Sequence, residues 1–178
     1  MDFEREVIER SAEVPVVVDF WADWCGPCKT LGPVLEGAVA ERAGKVELVK
    51  VDVDAEQALA QQYGIQGIPA VKAFRNGNVV SEFVGAQPPQ AVAAFLDELT
   101  APSLADELAE SGAEGELAAA LARGDHEGAL ELLLAEAAEA DEERRDEIRR
   151  MMVTLFGELG HDHPLSQTYR RRLAATLY

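Results

Sequence analysis

"VPVVVDFWADWCGPCKTLGP", Val14–Pro33, decides the fold. Val14–Trp21 is a β-branched apolar run, the pattern of a strand buried on both faces. A helix opens near Gly26 with Pro33 inside it, where a kink is expected. Both cysteines of the chain, Cys25 and Cys28, stand at the join, separated by Gly26 and Pro27.

Outward from this stretch the elements alternate. "KVELVKVDVD" (Lys45–Asp54) predicts a second buried strand, and "AEQALAQQYG" a short helix closed by Gly64. "PAVKAF" and "NVVSEFVG" flank "RNGN" (Arg75–Asn78), and Asn-Gly between two strand runs predicts a hairpin. "PPQAVAAFLDELT" predicts a helix with proline near its start. The order βαβαββα implies an α/β domain over residues 1–100, a central mixed sheet flanked by helices. Residues 101–112 are small, polar and acidic, a linker or a loosely packed turn of helix. Residues 113–178 carry no strand signal and form a small all-α region. "ELAAALARGDHEGALELLLAEAAEA" predicts a helical hairpin turning at Gly124-Asp125, with Leu130, Leu133 and Leu134 on one apolar stripe. "DEERRDEIRRMMVTLFGELG" and "HPLSQTYRRRLAATLY" predict two further helices, the last with Pro164 in its first turn.

Composition narrows the function. The 178 residues carry a net charge of −17, which disfavours nucleic acid as a partner, because binding its backbone needs a basic surface. The acidity concentrates in Leu104–Glu147, with fifteen acidic residues against three basic, and reads as solvated helix faces. No apolar run approaches the ~20 residues of a membrane span. "MDFEREVIER" is charged throughout, without an apolar signal core, so a cytoplasmic chain is expected. In a reducing compartment a lone cysteine pair points to catalysis, and no further cysteine completes a zinc site. "GHDHP" (Gly160–Pro164) reads as a helix connection; neither metal nor cofactor is expected.

The spacing of the cysteines has a chemical reason. Cys25 precedes a helix, whose free N–H groups and macrodipole favour a thiolate. Cys28 follows one turn later, within reach of Cys25 and expected to be more buried; it would resolve a mixed disulfide formed by Cys25. Two half-buried structural thiols are the plain alternative. Asp19 lies inside the apolar strand, where a carboxylate is costly without a role or partner. As a buried acid of raised pKa it would take the Cys28 proton through water. Lys50, on the neighbouring strand, is its candidate charge partner, or else a lysine snorkelling from a strand end. "YGIQGIPAV" fits a cis Ile68–Pro69 bond in a tight turn beside Cys25, with Ile68 backbone groups open to an extended substrate. Trp24 is the expected contact surface and Trp21 a core residue.

"VDFWADWCGPCK", Lys50 in "VKVDVD", "YGIQGIP", "FRNG" and Gly85 closely resemble the thioredoxin family over residues 1–100. The resemblance implies a thioredoxin fold with Cys25 attacking, Cys28 resolving, Asp19 as buried acid, Lys50 beside it and Pro69 cis. It places Trp24, Gly26, Pro27, Ile68, Pro69 and Gly85 at the substrate. "DVDAEQALAQQYGIQGIPAV", "FVGAQPPQAV", "ALARGDHEGALELLL" and "YRRRLAATLY" are similar to the bacterial chaperedoxins, which join a thioredoxin domain to a tetratricopeptide-like helical region. That family implies holding of unfolding or oxidised client proteins, protection of their cysteines, delivery to a GroEL-type chaperonin, and recycling by a cellular thiol reductase system. Some members lack the first cysteine and hold clients only after chlorination; with both cysteines and only four lysines, this chain is expected to be redox-active and to hold clients without it. The rival readings are a plain disulfide reductase with a helical appendage, and a binding scaffold with a vestigial dithiol. Leu165, Tyr169, Leu173 and Leu177 recur every four residues on the last helix, with Arg170–Arg172 around it and Tyr178 at its end. This face is expected either to meet the chaperonin (Leu165, Tyr169, Arg170, Leu173, Leu177 and Tyr178) or to dock on Met151, Leu155 and Phe156.

Overall fold

The computed structural model describes residues 1–160 and 162–177. It contains two compact units, Met1–Ala101 and Pro102–Tyr178.

The first unit is built on β1 (Val16–Trp21), β2 (Glu47–Asp52), β3 (Ala70–Arg75) and β4 (Asn78–Val84), in the order β2-β1-β3-β4. β1 runs parallel to β2 and antiparallel to β3, and β3 and β4 form a hairpin. Three helices belong to it: α1 (Gly26–Ala40), which runs on through Pro33, α2 (Gln57–Gln62) and α3 (Pro89–Thr100). β1 is interior and buried on both faces, as its apolar run requires, with Asp19 its one charged residue. Val17, with Val71 and Ala73 of β3, packs against Leu31 and Leu35 of α1 and Val92 and Leu96 of α3. Val16, Val18 and Phe20 point to the opposite core with Phe3, Val7 and Phe74. The period-two alternation therefore sets Asp19 and Trp21 on the Val17 face. β2 departs from expectation. It is an edge strand, and of its residues only Val51 is fully buried. Edge position leaves Lys50 exposed and Glu47 half-buried, while Leu48 packs into one core and Val49 and Val51 into the other.

Residues 4–12, for which the sequence pattern predicts no element, are helical: a π-helical Glu4–Glu9 and a 3-10 turn Arg10–Ala12. Phe3 and Val7, four residues apart, bury one face. This segment braces the hairpin. The Asn76 and Gly77 N–H groups donate to the Ser11 carbonyl and Oγ, both at 2.8 Å. Asn76 and Gly77 hold φ of 51° and 77°, the left-handed pair that a tight two-residue hairpin demands.

The second unit is all-α: α4 (Leu104–Glu110), α5 (Glu116–Ala122), α6 (His126–Glu139), α7 (Glu142–Leu159) and α8 (Pro164–Leu177). The 101–112 stretch is not a plain linker. Ser103 and Asp106 close a capping box on α4, and Leu104 is 3% exposed in the helical core. α5 and α6 form the expected hairpin, with Gly124 at φ 71° and Asp125 accepting from the Gly128 N–H at 2.9 Å. Leu130, Leu133, Ile148, Met152, Leu155 and Phe156 fill the centre. No described helix is long and apolar enough to cross a membrane.

Candidate functional site

β1 delivers the chain to the site. Cys25 is the N-cap of α1, with extended backbone at φ −79° and ψ 103°. Its Sγ accepts the Cys28 N–H at 3.2 Å, one of the donors a helix start leaves free. Pro27 fits the first turn because its missing N–H has no partner to lose there. The cysteines are joined as a disulfide, with S–S 2.07 Å and Cα atoms 5.3 Å apart. Cys28 is not the more buried of the two. Each is 4% exposed in this oxidised state, because both pack into one cluster with Ala22, Trp21, Val53 and Ile68.

Ile68–Pro69 is cis, and the Gly85 N–H donates to the Pro69 carbonyl at 2.8 Å. Ile68 and Gly85 are half-buried, Pro69 is buried, and Gly26 and Pro27 are exposed. A shallow cleft of about 270 Å³ adjoins this loop, lined by Gly64, Ile65, Gly67, Phe83 and Val84 among others. Trp24 is 69% exposed, the expected contact surface, and its indole N–H donates to Asp54 Oδ2 at 2.8 Å. Asp54 was not among the expected residues. It lies thirty residues from Trp24 in sequence, and nothing local in "VDVDAE" marks it. Trp21 is half-buried rather than core, with Lys50 Nζ 5.2 Å from its ring centroid.

Asp19 is 1% exposed, and its Oδ1 has no hydrogen-bond partner. Burial pushes its carboxyl up to about 6; the Lys50 charge opposes this and the Glu36 charge adds to it. Lys50 is in register with Asp19 across the parallel pair, but its ammonium donates to Glu36 Oε1 at 2.9 Å. Its action on Asp19 is through space, and Glu36 is a second residue the sequence did not single out.

The last helix turns its stripe inward. Tyr169 and Leu173 are 2% and 6% exposed and belong to the helical core with Met152, Leu155 and Phe156; Leu165 and Met151 pack against it. Tyr169 Oη donates to Glu131 Oε1 at 2.5 Å, Arg172 also bonds Glu131, and the Arg170 guanidinium lies 5.3 Å from the Phe156 ring. Tyr169 and Leu173 are therefore not offered to a partner: the face they share is the one that closes their own unit. Tyr178 and the side chain of Leu177 lie outside the described residues, as does His161. Among the described residues no group of three or more His, Cys, Asp or Glu side chains is placed to hold a metal.

Comparison with known proteins agrees with this geometry. The thioredoxin family model matches residues 1–98, and a tetratricopeptide repeat model matches residues 91–178. Thioredoxin C-2 of Corynebacterium nephridii is 50% identical over 97 residues, 54% of this chain and 88% of that protein. Thioredoxin of Haemophilus influenzae is 44% identical over 97 residues, 54% of this chain and 89% of its own length. The mitochondrial thioredoxin of Bos taurus is 49% identical over 98 residues, 55% of this chain and 58% of that protein. Likeness across nearly the whole of two bacterial thioredoxins, in a chain whose one cysteine pair stands oxidised at the mouth of α1, makes this chain a member of the thioredoxin family, a thiol–disulfide oxidoreductase followed by a tetratricopeptide-like helical unit.

Proposed function

We propose that the chain is a chaperedoxin of the bacterial cytoplasm. It exchanges disulfides with unfolding or oxidised clients, holds them, and passes them to a GroEL-type chaperonin. One observation carries this reading: the dithiol, the cis proline and their supporting sheet all lie within Met1–Ala101, so the helical unit is not needed to complete the redox site. A tetratricopeptide-like unit in the same chain supports a role in protein contact. Trp24 and Val84, both strongly exposed, give the redox unit apolar surface for a client.

In the reaction, the reduced Cys25 thiolate attacks one sulfur of a client disulfide. A mixed disulfide forms, and the other client sulfur leaves as a thiolate that takes up a proton. The N-cap position of Cys25 favours its thiolate, an effect for which thioredoxin is itself a standing example. Cys28 gives its proton to Asp19 through water, and its thiolate attacks Cys25 Sγ. The Cys25–Cys28 disulfide closes and the second client thiolate departs and is protonated. The client gains two electrons and two protons; a cellular thiol reductase system returns two electrons to the chain. Trp24, Gly26, Pro27, Ile68, Pro69 and Gly85 surround the bound client strand, and no cofactor takes part.

With Tyr169 and Leu173 turned inward, the part of α8 left for the chaperonin is its exposed face, Arg171, Ala174 and Ala175. Deleting Ala174–Tyr178 is expected to abolish co-purification with the chaperonin and spare disulfide reduction. Light scattering of a heat-labile client tests holding: the Cys25→Ser/Cys28→Ser chain should still suppress aggregation, since holding needs apolar surface and no thiolate. The inward stripe favours one rival, a disulfide reductase whose helical unit is an appendage. Failure of both assays would select it.

A further inference from the structure

Lys50 is in register with Asp19, a buried carboxylate on the strand that leads to the dithiol, yet it is held elsewhere. Its Nζ donates to Glu36 Oε1 at 2.9 Å and rests 5.2 Å from the Trp21 ring centroid. Glu36 stands on α1, the helix that carries both cysteines' turn, and the lysine reaches it across Gly32. A Cβ at Gly32 would lie 3.6 Å from Nζ, so the ammonium passes close against the helix there. The Glu36–Lys50 pair is solvent-facing, with side chains 54% and 39% exposed, and such pairs add little stability. Its consequence lies with the buried neighbour. Asp19 Oδ1 is left without a hydrogen-bond partner in an apolar setting, where a nearby charge is weakly screened.

We propose that Glu36 is a positioning residue for the redox site: by holding the Lys50 ammonium against α1, it keeps that charge from settling on Asp19. The other groups on this face of the sheet do not compete for the role. β3 and α3 contribute Val71, Ala73, Val92 and Leu96, all apolar. Asp52, the next β2 residue on the same side, is in register with Trp21, and its Oδ1 accepts the Asp54 N–H. The charged side chains Lys29 of α1 and Asp97 of α3 are exposed, Asp97 being paired with Arg42. Among the described residues Lys50 and Glu36 are the charges that act on the Asp19 carboxyl; Cys25 and Cys28 do not titrate while joined. The burial-driven rise of the Asp19 carboxyl to about 6, with Glu36 adding to it and Lys50 opposing, agrees with the geometry. The acid is thereby held near neutrality, where a proton acceptor for a thiol can both take and return a proton. This rests on the proposed role of Asp19 in deprotonating Cys28.

The test separates the two ideas. In the oxidised full-length chain, the carboxyl carbon of Asp19 is titrated by NMR, free of thiol titration. Glu36→Gln keeps the side-chain volume and removes the charge. Its Asp19 midpoint should fall by roughly one pH unit, as the freed ammonium turns to the carboxylate. In a Lys50→Met background, Glu36→Gln should move the midpoint by less than half as much. An unmoved midpoint, or an equal fall with and without the lysine, overturns the proposal. Both positions are solvent-facing, and a circular dichroism melt confirms the fold of each variant. The pH–rate profile of disulfide reduction then judges Asp19 itself. If the Asp19 midpoint falls in Glu36→Gln and the kinetic midpoint follows, the positioning role stands together with the acid. If the NMR midpoint falls and the profile does not, Glu36 still positions Lys50 but Asp19 is not the proton acceptor.

Discussion

Replacing Asp19 by Asn should stabilise the redox unit, and only at the pH where the aspartate is charged. The carboxyl rises from its ordinary 3.8 to about 6 on folding because burial disfavours the anion. A folded chain that binds this proton more tightly than the unfolded chain loses stability as pH climbs from ~4 to ~6, and the loss persists above that window. The gap of roughly two pH units, at ~1.36 kcal/mol each, comes to about 3 kcal/mol. Asn removes the charge at every pH, and its own buried amide costs the same at every pH. The difference between two pH values therefore isolates the carboxylate. Urea unfolding of the oxidised chain should show Asp19→Asn gaining about 3 kcal/mol more at pH 8 than at pH 3.5. Both tryptophans, Trp21 and Trp24, belong to the first unit, so their fluorescence reports on that unit alone. An equal gain at the two pH values, or none at pH 8, would refute the assignment of burial as the dominant cause.

The other expectations are simpler to state. Cys25→Ser should abolish reduction of an insulin disulfide, whereas Cys28→Ser should accumulate mixed disulfides visible on a non-reducing gel; turnover by Cys25→Ser would reverse the roles. Ser166 is fully buried on α8 with no partner for its Oγ, so Ser166→Ala should stabilise the helical unit by about 1 kcal/mol in a thermal melt. Tyr169→Phe leaves the ring in place and removes the donor to Glu131; a loss of about 1 kcal/mol in the same melt is expected, and no change would mean that packing alone holds α8.

Much of this was legible in residues that act locally. The apolar run Val14–Trp21, the Asn76-Gly77 turn and the cysteine pair each announce their structure within a few positions: the strand, the hairpin turn and the cysteines at the helix start are found, though Cys28 is no more buried than Cys25 and Trp21 is only half-buried. What depended on distant neighbours was not legible. The exposure of β2 follows from the strand order, which no property of "ELVKVD" records. Trp24–Asp54 joins two turns distant in sequence, and Lys50–Glu36 joins a strand to a helix. The stripe on α8 declared that one face is covered, but not by what; the cover proved to be the core of its own unit. The α4 helix is a different case. Its capping box, Ser103 with Asp106, is a local signal, outweighed by the polar composition around it.

The strand order has a consequence for how the sheet meets other extended chains. A bare sheet edge is a template on which a stray strand can align and grow into an aggregate. Here one edge is β2, where Glu47, Lys50 and Asp52 interrupt the apolar residues and Arg10 is bonded to Glu47. The other is β4, where Glu82 is bonded by Lys72. Charge fixed at both borders makes the sheet a poor seed, so the fold guards itself against growth by strand addition.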